Sequence, residues 1–269
     1  MIKLLLNSVR FPLKPSCFTN RFLSLFFVGM FFVLNYVGCA SEQSFDTSTP
    51  GGSFAKAKYL EDEERFEEAI MEYQSLKNRF PYNKLAVQSE LRVADIQFNR
   101  EAYIESQHAY QLFKELHPKH EKSDYVTFQL AMSYFNQLPG SIDRDLTIAQ
   151  DAIIYFDEVI LTYPNSPFAA KSKEYKAKAY KMLAEKELYI ARFYLIREMY
   201  DSALLRYENM LKNDKAKDLA PKALYGATVS AVKSKEKIKA KNYFNILTTQ
   251  YASSDEAKKI QTEYGNELR

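Results

Sequence analysis

The chain has 269 residues, 46% of them hydrophobic, with 20 tyrosines, 19 phenylalanines and two cysteines. It carries 37 basic and 34 acidic residues, but four of the basic ones and no acid fall within 1–38, which leaves 33 basic against 34 acidic beyond that point. That near-neutral balance gives no argument for nucleic-acid binding, which usually asks for a strongly basic face, and with Cys17 inside the basic segment Cys39 has no partner for a disulfide or a thiolate metal site.

Residues 1–38 read as a signal peptide. Lys3, Arg10, Lys14 and Arg21 accompany an apolar run from Leu23 to Leu34, about a dozen residues, the length of a signal-peptide core and short of the roughly 20 a spanning helix needs. Asn35 and then Gly38-Cys39 put small residues where a peptidase must fit the backbone. In its "VGC" the stretch resembles the lipobox of bacterial lipoproteins, which implies a diacylglycerol thioether on Cys39 and Cys39 as the new N-terminus. The chemistry needs a thiolate nucleophile. Tyr36 stands where lipoboxes usually have leucine, and an uncut N-terminal anchor or a plain secreted chain are the competing readings.

Residues 39–53, "CASEQSFDTSTPGGS", are small, polar and turn-forming, too poor in apolar side chains to repay the entropy of ordering them, so a flexible tether is expected. From Phe54 to Tyr225 the only glycine is Gly140, and alanine, leucine, tyrosine, lysine and glutamate dominate. These residues mostly enter helices at little cost.

The helical pattern repeats. Phe66, Ala69, Ile70, Tyr73 and Leu76 fall at helical spacing and lead to Phe80-Pro81. Tyr103, Tyr110, Phe113 and His117-Pro118 take the same places 37 residues on, followed by Ala152, Phe156, Val159 and Tyr163-Pro164. The alanine and aromatic return as Ala203 and Tyr207 and again as Ala240 and Phe244. Apolar segments precede these helices, with Ala94, Ala131 and Ala191 where two helices must cross closely, and proline stops the second helix. The order resembles the tetratricopeptide repeat. The expected fold is all-α, a superhelix of about five tetratricopeptide-like helix pairs, divided into N-terminal repeats 54–138 and C-terminal repeats 139–269, because a single pair cannot bury its apolar face alone.

Catalytic patterns are missing. His108, His117 and His120 lack HExxH spacing, no serine sits in a GxSxG elbow, and no glycine-rich loop is present to cradle phosphate. The sequence therefore points to no enzyme, cofactor or metal site. His117 and His120 flank a proline and read as surface residues. Asp143 and Asp145 bracket Arg144, an arrangement that favours ion pairs knitting a loop over a cation site. The acids of Glu61 to Glu72 suit a helix start, and the lysines of Lys212 to Lys241 read as solvated surface more than as a docking site.

Asp124-Tyr125, the "DRD" of Asp143 to Asp145, "YPNS" from Tyr163, and the "LAEKEL" and "RYENML" helices follow one another in the order and register of the BamD family. The chain resembles these lipoprotein subunits of the machine that inserts β-barrels into bacterial outer membranes over about 200 residues, from Phe54 to Ala252. The short "NQLPGS" loop and the "KNDKAKDLAP" end of the fourth unit, where the family often has another tyrosine-proline turn, depart from the pattern. The resemblance implies an outer-membrane protein held on the periplasmic face by lipid on Cys39, with Ala40 after the cysteine matching lipoproteins sorted outward. Its implied partners are the BamA periplasmic domains, unfolded barrel proteins and the other lipoproteins of that machine. Arg206, Glu208, Asp143, Arg144 and Asp145 are the implied partner-binding residues. Phe80, Tyr82 and Tyr103 are candidates to line a concave surface for the extended C-terminal segment of a barrel protein, and core packing explains each equally well. The alternative is a tetratricopeptide scaffold lipoprotein of cell-envelope division or pilus assembly.

Overall fold

A computed structural model describes residues 44–212 and 214–268. The signal peptide, Cys39 and Ala40 lie outside this range. Among the described residues there are eleven α-helices: α1 (Pro50–Asp62), α2 (Phe66–Arg79), α3 (Lys84–Asn99), α4 (Tyr103–Leu116), α5 (Ser123–Asn136), α6 (Ala149–Thr162), α7 (Phe168–Ile196), α8 (Tyr200–Leu211), α9 (Ala220–Lys233), α10 (Lys237–Gln250) and α11 (Asp255–Leu268). Each helix packs on the next, making the pairs α1–α2, α3–α4, α5–α6, α7–α8 and α9–α10, closed by α11. First helices of neighbouring pairs also touch, as α1 with α3, α5 with α7, α7 with α9 and α9 with α11, whereas second helices do not make comparable contact. This asymmetry sets the first helices on the inner face of the stack, as in tetratricopeptide superhelices.

The turns within pairs obey one rule. Glu64, Glu101, Glu198 and Lys235 all have φ between 58° and 65°, the left-handed region that L-residues other than glycine avoid. At each, the next residue's N–H reaches back five positions: Arg65 to the Leu60 carbonyl at 2.8 Å, Ala102 to Gln97 at 2.9 Å, Met199 to Tyr194 at 3.0 Å and Glu236 to Ala231 at 2.8 Å. That is the Schellman closure of a helix end, normally given to glycine. Turns between pairs follow a second rule: Phe80, His117 and Tyr163 share φ near −130° and ψ near 56°, outside the α region that a following proline disfavours in its predecessor. The fourth unit lacks that signal and instead runs through the 3₁₀ turn Asp214–Leu219.

Small residues sit at the crossings as expected. Ala94, Ala131 and Ala191 are fully buried, with Ala69, Ala203 and Ala240 on the partner helices, and Ser106 and Ser133 meet Oγ to Oγ at 2.8 Å. The larger anchors Tyr73, Tyr110, Phe113, Phe156 and Leu247 fill the grooves beside them. Three tyrosines end on carboxylates: Tyr73 donates to Glu61 at 2.9 Å, and Tyr110 and Tyr125 donate to the buried Asp95 at 2.7 and 2.8 Å. Arg92 bridges Glu61 and Asp95, tying the first pair to the second. Burial, reinforced by the Asp95 charge, raises the Tyr110 hydroxyl far above its ordinary range and the Tyr125 hydroxyl to about 12, so both stay donors.

One expected boundary shifts. The tether expected over 39–53 is ordered from Phe45. The Phe45 ring lies 5.5 Å from that of Tyr59, Thr49 caps α1 by accepting from Gly52 N–H at 3.1 Å with Pro50 in the first turn, and Arg79 of α2 donates to the Thr47 carbonyl at 3.0 Å and to Ser53 Oγ at 2.8 Å. Polar residues that cannot build a core are here fixed by one distant guanidinium. From Phe45 onward the chain forms one compact unit, and a division at 138/139 would fall inside the third pair, whose Phe128, Ala131, Ala152 and Phe156 share one cluster. The change of core comes within α7, where Phe168 and Tyr175 pack toward the third pair and Ala184 and Ala191 toward the last helices.

Candidate partner-binding site

Of the residues that resemblance singled out for partner binding, the 143–145 loop and Arg206 meet α7, and Glu208 does not. This helix has 29 residues, twice the length of its neighbours, and is long enough to serve the third and fourth pairs together. Asp143, Arg144 and Asp145 lie exposed in the loop between α5 and α6. The Arg144 guanidinium makes no ion pair among the described residues, so the loop is not knitted by its own charges as expected. Asp145 Oδ1 instead accepts from Thr147 N–H at 2.9 Å and Thr147 Oγ1 at 2.6 Å, and these bonds hold its carboxyl below the usual range. Lys186 of α7 donates to the Asp143 and Arg144 carbonyls at 3.0 and 2.7 Å. The loop is clamped by its backbone, which leaves the Asp143 and Arg144 side chains outward.

The residue after Lys186 holds the other candidate. Arg206 Nη1 on α8 lies 3.2 Å from Glu187 Oε2 on α7, rather than pairing within its own helix. Both side chains remain about two-fifths exposed, at 42% and 43%, so the guanidinium keeps free donors for a partner. Glu208 is different. Two residues on, it faces the opposite side of α8, accepting from Tyr243 of α10 at 2.9 Å and lying 3.1 Å from Lys239. Burial opposes its charge, but the Tyr243 hydroxyl and the Lys239 ammonium outweigh it and keep the carboxyl below its ordinary value. Glu208 therefore ties the fourth pair to the fifth.

The aromatic candidates are dispersed. Phe80 and Tyr82 precede α3, while Tyr103 follows it, and the 16 residues of α3 put these ends about 24 Å apart. Tyr82 is fully exposed at 102%. Phe80 lies under the Arg79 guanidinium at 5.6 Å, and Tyr103 packs edge-on against Phe98 at 5.5 Å.

Sequence reasoning missed the groove between them. It has a volume of about 390 Å³, with walls from α2 and α4 and a floor from α3 that includes Val93 and Gln97. Leu112 is 48% exposed on its wall, and the buried Gln97 Oε1 accepts no hydrogen bond. His117, expected at the surface, is half-buried, with Nε2 at 2.6 Å from Glu90 Oε2, and Glu90 also meets Lys77 at 2.8 Å. The missed signal was in the sequence: Leu112 sits outside the Tyr110–Phe113 core positions of α4. No group of three or more His, Cys, Asp or Glu among the described residues is placed to hold a metal ion, and no described helix is long and apolar enough to cross a membrane.

A stack of helix pairs with open grooves and outward charges defines a tetratricopeptide-type helical-repeat protein. The chain belongs to the outer membrane lipoprotein family YfiO, whose model matches residues 49–224, from the Thr49 cap into α9. It is 28% identical over 167 residues to the outer membrane protein assembly factor BamD of Neisseria meningitidis serogroup A, covering 59% of this chain and 62% of that protein. The chain thus spans somewhat less than two thirds of the first relatives it matches. With the BamD of Rickettsia prowazekii it shares 27% identity over 222 residues, 81% of this chain and 87% of that one. Among solved structures it is similar to the TPR2AB-domain:pHSP90 complex of yeast Sti1, at 13% identity and a TM-score of 0.40 over 81% of this chain and 86% of that one. Family membership associates the chain with the outer membrane.

Proposed function

We propose that this protein is an assembly factor for outer-membrane β-barrel proteins that works by binding. The observation that carries this reading is the family match over 49–224, with relatives named as outer membrane protein assembly factors. The geometry supports it in two places. In the N-terminal pairs, an apolar groove with an unsatisfied acceptor at Gln97 suits an extended chain, whose backbone N–H groups need acceptors; Phe80, Tyr82 and Tyr103 flank its ends rather than line it. Arg206 on α8 and the outward Asp143 and Arg144 of the α5–α6 loop, both braced by α7, offer charge to the BamA periplasmic domains, where guanidinium can grip a carboxylate with two parallel bonds. Glu208 supports α8 from behind. Lipid on Cys39 holds the protein at the periplasmic surface; one acyl chain, at roughly 0.8 kcal/mol per buried methylene, is too weak to anchor it lastingly, so more than one is required.

Depletion of the protein in its own cells tests this reading. Folded, heat-modifiable barrels should fall in the outer membrane, and BamA should co-purify with the solubilised protein from undepleted cells. Unchanged barrel levels after full depletion would refute it.

A further inference from the structure

A second groove, of about 510 Å³, opens on the inner face of the C-terminal half, among α7, α9 and α11. Such a volume lies in the range of ligand pockets. Leu188 and Leu195 of α7 and Tyr225 of α9 give it an apolar lining, and Ile196 at its edge is 70% exposed. Three cations stand in it, one from each helix: Arg192, Lys222 and Lys259.

The charges are poorly matched. Arg192 and Lys222 pair with no carboxylate among the described residues. Lys259 Nζ lies 4.7 Å from the Tyr225 ring centroid and 4.0 Å from Glu263, and the Tyr225 hydroxyl, with the Glu263 carboxylate, favours its charge more than burial and Arg192 oppose it. Asp255 and Glu256 also line the groove, but they occupy the first turn of α11, where the helix dipole accommodates acids, and Asp255 already lies 3.6 Å from Lys258. Like charges gathered over apolar surface repel one another until an anionic partner arrives.

We propose that the inner groove of α7, α9 and α11 binds an extended acidic segment of a partner protein, one in which large apolar side chains alternate with carboxylates. Alternation matters because an extended chain turns successive side chains to opposite faces: one set seats on Leu188, Leu195 and Tyr225, and the other meets the cations. The cations sit on three separate helices, which suits carboxylates distributed along a chain better than a single terminal one. Arg192 supplies the planar fork that fixes register. This site is distinct from the N-terminal groove and from the Arg206 face, so it stands or falls independently of them.

The probe is a fluorescent peptide of alternating Phe and Glu, blocked at both ends, titrated by anisotropy with the full-length protein. It should bind at least tenfold tighter than the same peptide with Gln for Glu, and more weakly as salt rises. Arg192→Glu with Lys259→Glu should cost at least tenfold while helical circular dichroism is unchanged; Lys222→Glu, at an exposed position, repeats the test should the pair perturb folding. Arg206→Glu should leave this binding intact. Equal binding of the Gln peptide, unchanged binding by a folded Lys222→Glu, or recovery of full affinity by a Gln peptide with a free C-terminal carboxylate would each overturn the proposal.

Discussion

Gly226→Ala isolates the contact on which the Arg206 helix rests. Gly226 lies in α9 beneath Tyr207 of α8, and a Cβ added there would stand 2.2 Å from Tyr207 Cζ and 2.5 and 2.6 Å from the two Cε atoms. Carbon atoms rest at about 3.5–4.0 Å, so the ring or the helix must move by more than 1 Å, about the difference between those figures. Tyr207 is only 2% exposed, which leaves its ring little room to swing away. Two effects oppose each other. Alanine is favoured over glycine within a helix by about 1 kcal/mol, whereas overpacking a filled core costs about 1–3 kcal/mol. The net is a loss of up to about 2 kcal/mol, which in a chain of this size lowers Tm by roughly 2–4 °C per kcal/mol. Thermal melts followed by circular dichroism measure it. Gly51→Ala, with open space around its Cβ, is the control and should melt no lower than wild type. Tyr207→Leu should make Gly226→Ala less harmful than it is alone, because the two sites share one contact. A Gly226→Ala protein that melts above wild type would show that α8 and α9 do not meet at this distance.

Ala191→Phe places a ring where α7 has no exposed surface at all and should cost about 1–3 kcal/mol; an undiminished melt would place Ala191 outside the crossing. Glu208→Gln removes a charged tie between α8 and α10 and should destabilise by about 1 kcal/mol at neutral pH. Because the folded carboxyl is held below its ordinary value of 4.5, that contribution is present above pH 4.5 and lost as pH falls through the folded value, so wild-type and Glu208→Gln melts should converge in acid; a difference independent of pH would assign the effect to packing. Arg206→Glu faces Glu187 with a like charge, yet an exposed pair of this kind is worth at most about 1 kcal/mol, so the fold should persist while co-purification of BamA weakens by roughly 2–5 kcal/mol if the contact is buried there; a folded variant that retains BamA at wild-type level removes Arg206 from the interface. Cys39→Ser should abolish acylation detectable by mass spectrometry and release the protein from the outer membrane, and full retention would refute lipid anchoring at Cys39.

Residue order alone determined the repeat. The spacing of Tyr73, Tyr110 and Phe156, the small residues at Ala94, Ala131 and Ala191, and the proline stops after Phe80, His117 and Tyr163 are local and periodic properties, and a helix pair reads them within a few turns of chain. The turns inside pairs were less legible, because Glu64, Glu101, Glu198 and Lys235 adopt a conformation usually marked by glycine. There the backbone bonds that close the helix and the packing of both neighbours override the local preference.

Everything that depends on which surfaces meet was decided by the tertiary structure. The helical period sets Arg206 off the stripe of Ala203, Tyr207 and Met210, but its meeting with Glu187 of α7 requires the crossing of two helices. The same holds for the Lys186 clamp on the 143–145 loop, for Arg79 reaching the segment expected to be a tether, and for Gly226 against Tyr207, 19 residues apart in sequence. Periodicity tells a residue's face, since that is fixed by the chain's own rise and twist. The neighbour across that face is set by how neighbouring pairs stack, a distance over which side-chain volume and charge act but local spacing carries no record.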